Sequence, residues 1–145
     1  MRSEINQMSI KFLSRSCNEA FARQAVAAFM AQLDPTIEEI NDIKTAVSEA
    51  VTNCIVHAYR EETGYITIQA KLFDNDEIQI LVKDKGCGIP DVQRARQPMF
   101  TTGDEGRSGM GFTIMESFMD KLRVRSREGV GTQVTMTKRI RNRFA

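Results

Sequence analysis

Three polar residues recur at steps of four in the stretch SEAVTNCIVHAY, residues 48–59: Glu49, Asn53 and His57. On a helix that spacing sets them on one stripe. Glu49 offers a carboxylate that can take a proton from a hydroxyl or a water. Asn53 offers an amide oxygen that can ligate Mg²⁺ without adding charge. One turn apart, the two can meet the same small object. The pattern also describes the wet side of a half-exposed helix whose Ala50, Val51, Cys54 and Ile55 face a core, so the stripe alone does not choose.

Further along, DKGCGIP (84–90) places an aspartate before two glycines with one residue between them. An aspartate at a strand end can accept a hydrogen bond from an exocyclic amine such as adenine carries, and glycines let a ligand approach the backbone. The alternative is an ordinary tight turn. RSGMGF (107–112) ends an irregular stretch and opens a helix, which leaves backbone N–H groups bare where the helix dipole is positive and suits phosphates. Its spacing fits neither the P-loop nor the dinucleotide fingerprint, and a structural glycine hinge would look the same. A softer signal is Gly131-Thr132, where a hydroxyl could reach a base.

These residues need elements to hold them. Met8, Ile10 and Phe12 alternate, predicting a strand over 8–13. Ser16 with Glu19, and Thr36 with Glu39, are capping-box patterns that open two helices, the first stopped by Asp34-Pro35 and the second running to about Tyr59. The period then changes to two. YITIQAKLF (65–73) and EIQILVKD (77–84) predict a hairpin around Asp74, Asn75 and Asp76. Residues 91–108 read as a loop with one short helix, 110–122 as a helix, and RVRS with TQVTMTKRI as a second hairpin turning at 128–131. Hairpins with helices between them argue for a two-layer α/β sandwich with helices on one sheet face, the other open to solvent or to a second copy.

Composition bounds the class. The 145 residues suffice for one compact domain with a core of its own. Hydrophobic residues make up 41% and charged residues 27%, far from disordered or collagenous chains. Lys and Arg number 20 against 19 Asp and Glu, so a net charge of +1 gives no global pull toward nucleic acid or anionic membrane. The local bias noted is the end, with Lys138, Arg139, Arg141 and Arg143, expected to be solvated. No membrane span or signal peptide is evident. Cys17, Cys54 and Cys87 are far apart without a CxxC pair, and His57 is the only histidine, which leaves no zinc set and argues for a reduced, cytoplasmic protein.

The order E-A-x-x-N, D-x-G-x-G, loop, G-M-G-F, G-T resembles the Bergerat (GHKL) ATP-binding fold shared by gyrase, MutL and histidine kinases, across nearly the whole chain. Within it, EAVTNCIVHAY, DKGCGIPD, ARQPMFTT and RSGMGFTIMESFMD resemble the anti-sigma serine kinases of spore-forming bacteria, the sporulation branch before the general-stress branch. The resemblance implies an α+β fold with a mixed, mostly antiparallel sheet, one domain over 1–145 and an ATP lid at about 98–108. It implies Mg²⁺ on Asn53, Glu49 as general base toward a substrate serine, and Asp84 on the adenine amino group with Thr132 helping through water. It further implies Gly86 and Gly88 in the pocket floor, and Ile89, Thr101, Thr102, Ser108, Gly109, Met110, Gly111 and Phe112 around ATP or ADP. Its implied partners are a sigma factor held inactive, an anti-anti-sigma protein phosphorylated on serine, and a second copy in a homodimer, with Arg23 and Arg107 contacting partners and no nucleic acid or membrane bound directly.

Two departures stand out: the lid stretch lacks the longer charged insert expected of close relatives, and Cys54 replaces the usual small apolar residue, for which packing accounts. His57 is taken as structural. Three other readings compete. A histidine-kinase catalytic domain would need a separate phosphate-accepting histidine. A gyrase- or MutL-type clamp would need a further domain supplying a lysine. A kinase-dead binding module would have no use for Glu49.

Overall fold

In the computed structural model, residues 2–59, 62–97 and 111–141 of the 145 are described. Strand β1 (Glu4–Leu13) is longer than its apolar alternation because its first half is exposed and leaves no hydrophobic signal. Helix α1 (Asn18–Met30) follows, and a short 3₁₀ turn and Asp34, at φ 53°, end it before Pro35. The Ser16–Glu19 capping box expected there does not form: no side chain caps the helix. Glu19 is engaged elsewhere, since Thr52 Oγ1 donates to its Oε2 at 2.7 Å and Arg23 lies 3.7 Å from its Oε1.

Helix α2 (Ile37–Asn53) opens with the expected box, Glu39 N–H donating to Thr36 Oγ1 and Thr36 N–H to Glu39 Oε1. Its α-ladder stops at Asn53. Residues Cys54–Ala58 form a wider π turn, closed by Tyr59 N–H to Cys54 O at 3.1 Å. Strands β2 (Tyr65–Phe73) and β3 (Glu77–Asp84) fall where their alternation puts them, around Asp76 at φ 65°. A four-residue helix α3 (Val92–Ala95) is capped by Asp91, which accepts from Arg94 N–H. Helix α4 (Gly111–Phe118) is shorter than the sequence suggested, because Lys121 and Leu122 already pair in β4 (Lys121–Arg127) against β5 (Gly131–Arg139).

The sheet order is β1-β2-β3-β5-β4, and every pair is antiparallel, so the mixed pairing allowed for earlier is not found among the described strands. Ile66, Ile68, Ile78, Ile80, Val82 and Met136 point to one face and bury against Val26, Met30, Ile43, Val47 and Met115 of the helices. Each such side chain contributes roughly 1.5–3 kcal/mol by leaving water. The opposite face is mostly polar, with Leu13 and Tyr65 exposed at its β1 edge. On β4 the exposed residues are Lys121, Arg123, Arg125 and Arg127, a second cationic bias beside the one at the chain end. Of that end, Lys138 is not simply solvated: its Nζ donates to Phe118 O at 2.8 Å and lies 3.8 Å from Asp42. Arg143 lies outside the described residues.

Candidate nucleotide site

The end of α2 and its π turn form one wall of a cavity of about 700 Å³, within the range of small-molecule sites. Carbonyls at a helix end lack intrahelical partners, and here the DKGCG turn supplies them. Cys87 N–H donates to Ala58 O at 3.2 Å and Cys87 Sγ to His57 O at 3.2 Å. A Cβ on Gly86 would stand 2.4 Å from Ala58 O, so only glycine lets the turn dock this closely. Gly88 adopts φ +77° against the Arg127 carbonyl. Ser126 Oγ accepts from Ile89 N–H at 2.7 Å and stands 2.8 Å from Thr132 Oγ1, which ties the turn to the last hairpin.

Asp84, 5% exposed, sits at the bottom of this cavity. Its Oδ1 accepts from Gly86 N–H at 2.9 Å and Thr132 N–H at 3.2 Å, and its Oδ2 from Cys54 Sγ at 3.4 Å. Burial pushes its carboxyl upward, while those three donors pull the other way. Burial also raises the Cys54 thiol strongly, with the Asp84 charge adding to it, so the sulfur keeps its proton.

At the other end of the cavity, α4 begins at Gly111. A Cβ there would lie 3.1 Å from Asn53 Oδ1, 3.3 Å from its Nδ2 and 3.4 Å from Glu49 Oε2. The two polar groups of the α2 stripe therefore meet at the first residue of a helix, and bare glycine leaves the space between them open. Among the described residues no group of three or more His, Cys, Asp or Glu could hold a metal. An ion here would need further ligands from phosphates and water, which is how Mg²⁺ is commonly bound.

Of the expected residues, Asn53, Asp84, Gly88, Ile89, Gly111, Phe112 and Thr132 line the cavity. Glu49 reaches its Gly111 edge, and Gly86 supports Asp84 from behind. Thr101, Thr102, Arg107, Ser108, Gly109 and Met110, with the rest of the stretch 98–108, lie outside the described residues. Arg23 is on α1, half-buried beside Glu19 and away from the cavity lining.

The sequence reading missed that Ala50, Cys54 and Ala58, taken as core or left aside, are also cavity wall, as are His57, Cys87 and Arg94. The signal was present in part. Small residues at steps of four, beside the polar stripe, leave the room a ring would need.

Residues 15–138 match the family described as Histidine kinase-like ATPase domain. The chain is 64% identical over 140 residues to an anti-sigma F factor of Caldanaerobacter subterraneus subsp. tengcongensis, covering 95% of this chain and 97% of that one. It is 56% identical over 139 residues to an anti-sigma F factor of Clostridium novyi, covering 94% and 96%. Among solved structures, the RsbU and RsbW domains of Rv1364c from Mycobacterium tuberculosis superpose with a TM-score of 0.69 at 21% identity, over 94% of this chain and 32% of that one. A mycobacterial sensor histidine kinase, MprB, superposes with a TM-score of 0.56 at 19% identity, over 70% and 74%. At such identities the superpositions speak for the fold alone.

Proposed function

The chain belongs to the histidine kinase-like ATPase domain family and, within it, to the anti-sigma F factors, and from that premise we propose that it is a Mg-ATP-dependent serine kinase that also sequesters a sigma factor of the sigma F type. The protein is an anti-sigma factor with a kinase-type ATPase domain, and such a domain binds nucleotide. The substrate proposed is a small anti-anti-sigma protein, phosphorylated on serine and thereby inactivated.

One observation carries the catalytic part: Glu49 and Asn53 converge on Gly111 at the start of α4, at the edge of a cavity floored by Asp84. Asp84 accepts from the adenine amino group, with Thr132 beside it. Asn53, whose amide oxygen stands at the Gly111 edge, would help hold a Mg²⁺ ion, which would supply charge neutralisation for phosphoryl transfer. Glu49 takes the proton of the serine hydroxyl as its oxygen bonds to phosphorus and the bond to the ADP oxygen breaks. Transfer of this kind needs positioning and charge neutralisation more than covalent help.

The proposal includes one domain over 1–145 with the lid at about 98–108, carrying Thr101, Thr102, Arg107, Ser108, Gly109 and Met110 toward nucleotide or partner. Arg23 contacts partners from α1. A homodimer forms near the first strand, a reading supported by exposed Ile5, Leu13, Tyr65 and Phe21 there. The protein acts in the cytoplasm without binding nucleic acid or membrane directly. No helix among the described residues is long and apolar enough to cross a membrane.

The test uses γ-labelled ATP, Mg²⁺ and a candidate anti-anti-sigma protein. Label is expected on serine of the partner. In Glu49→Gln, ATP binding persists while transfer drops at least about 10²-fold, the size of a general-base contribution. Undiminished transfer in that variant would remove Glu49 from the mechanism. If no label moves while ATP and sigma factor still bind, the protein is a nucleotide-dependent binder and not a kinase.

A further inference from the structure

Among the cavity's hydrogen-bond donors that the mechanism above leaves unused is the thiol next to Asp84. Cys54 is 4% exposed, lines the cavity, and places its Sγ 3.4 Å from Asp84 Oδ2. An ionised carboxylate has about four lone-pair sites, two on each oxygen. Both sites of Asp84 Oδ1 are taken by the backbone donors of Gly86 and Thr132. The two oxygens are therefore unequal, and Oδ2, half filled by the thiol, is the one with capacity for a ligand. The thiol donates through its S–H to that oxygen.

We propose that Cys54 is a positioning residue that sets base specificity, its thiol occupying one lone pair of Asp84 Oδ2 so that the carboxylate presents a single acceptor site to a single exocyclic N–H of the base. The inference rests on Asp84 reading the adenine amino group. Without the thiol, the buried carboxylate has fewer donors to its charged form and is held by one oxygen only. A purely space-filling Cys54 would serve every purine equally. A positioning Cys54 matters only to a base that donates to Asp84.

That difference is measurable with ATP and ITP, whose hypoxanthine carries an oxygen where adenine carries the amino group. Dissociation constants of both would be measured for the full chain and for Cys54→Ala, Cys54→Ser and Asp84→Ala. Cys54→Ala is expected to weaken ATP about three- to tenfold, the effect of one hydrogen bond, and to leave ITP unchanged, so the preference for ATP narrows. Cys54→Ser keeps a donor and retains most of the preference, and its near-equal volume keeps the test alive should the alanine variant fold poorly. Equal weakening of ATP and ITP, or none, would overturn the proposal and leave Cys54 as packing. ATP binding undisturbed in Asp84→Ala would instead overturn the adenine assignment on which it stands.

Discussion

At the scale of single residues, the site is governed by two buried oxygens and what surrounds them. Asp84 has its carboxyl raised by burial, against the donors of Gly86, Cys54 and Thr132. Tyr59 and Cys54, which share its surroundings, are raised too, so neither adds charge at neutral pH. The ionised carboxylate accepts from an amino group more strongly than the protonated acid does. On the role proposed for Asp84, adenine recognition is strongest above its pKa and weakens as pH falls through it, and because burial raises that pKa the weakening begins at higher pH than for an ordinary aspartate. The expected result is that the ATP-over-ITP affinity ratio declines as pH falls from neutrality, beginning above the range of an ordinary aspartate, and is flat in Asp84→Asn. A constant ratio in the parent chain would take Asp84 out of base recognition. Asp84 was legible from its place before two glycines. Its tie to Cys54 was not, because hydropathy reads a cysteine as core and is blind to where its S–H points.

At the scale of elements, the two capping-box patterns had opposite outcomes for a physical reason. Thr36 and Glu39 find each other because, among the described residues, the competitor at the start of α2 is Arg141 N–H, which uses the other carboxylate oxygen of Glu39. Glu19 is drawn off by the Thr52 hydroxyl, leaving α1 without a side-chain cap and linking the two helices one residue before Asn53. Thr36→Ala should therefore lower stability by about 1 kcal/mol, seen as a reduced urea midpoint at unchanged slope. Ser16→Ala should leave the midpoint where it is. A comparable loss in both variants would mean that the α1 box forms in solution. The π turn at Cys54–Ala58 had no periodic signature, since apolar spacing does not report whether a carbonyl bonds four or five residues on.

At the scale of the whole molecule, one sheet face is covered by helices and the other is open, mostly polar and rich in cations along β4. At the β1 edge of that open face Leu13 pairs with Tyr65 across the strands and both are exposed, as is Phe21, which meets Phe12 edge-on at 6.0 Å; Ile37 and Val130 are exposed away from this edge. If this edge joins two copies, sedimentation should give a dimer for the parent chain, and Leu13→Asp should shift it to monomer with ATP affinity intact. A dimer that survives the substitution would move the interface elsewhere.

The sequence by itself determined the order of elements, the β2–β3 hairpin, the Thr36 cap and the motifs that mark a nucleotide-binding kinase-type domain. Those rest on short-range physics: side-chain periodicity, turn chemistry and contacts within a few residues. Only the tertiary structure decided that Glu49 and Asn53 share the space at Gly111, that Ala50 and Cys54 are cavity wall as well as core, and that Asp84 is held from positions 30 and 48 residues away. Such contacts are set by how the β3 turn, the last hairpin and the end of α2 dock together, and no local window of the chain contains all three.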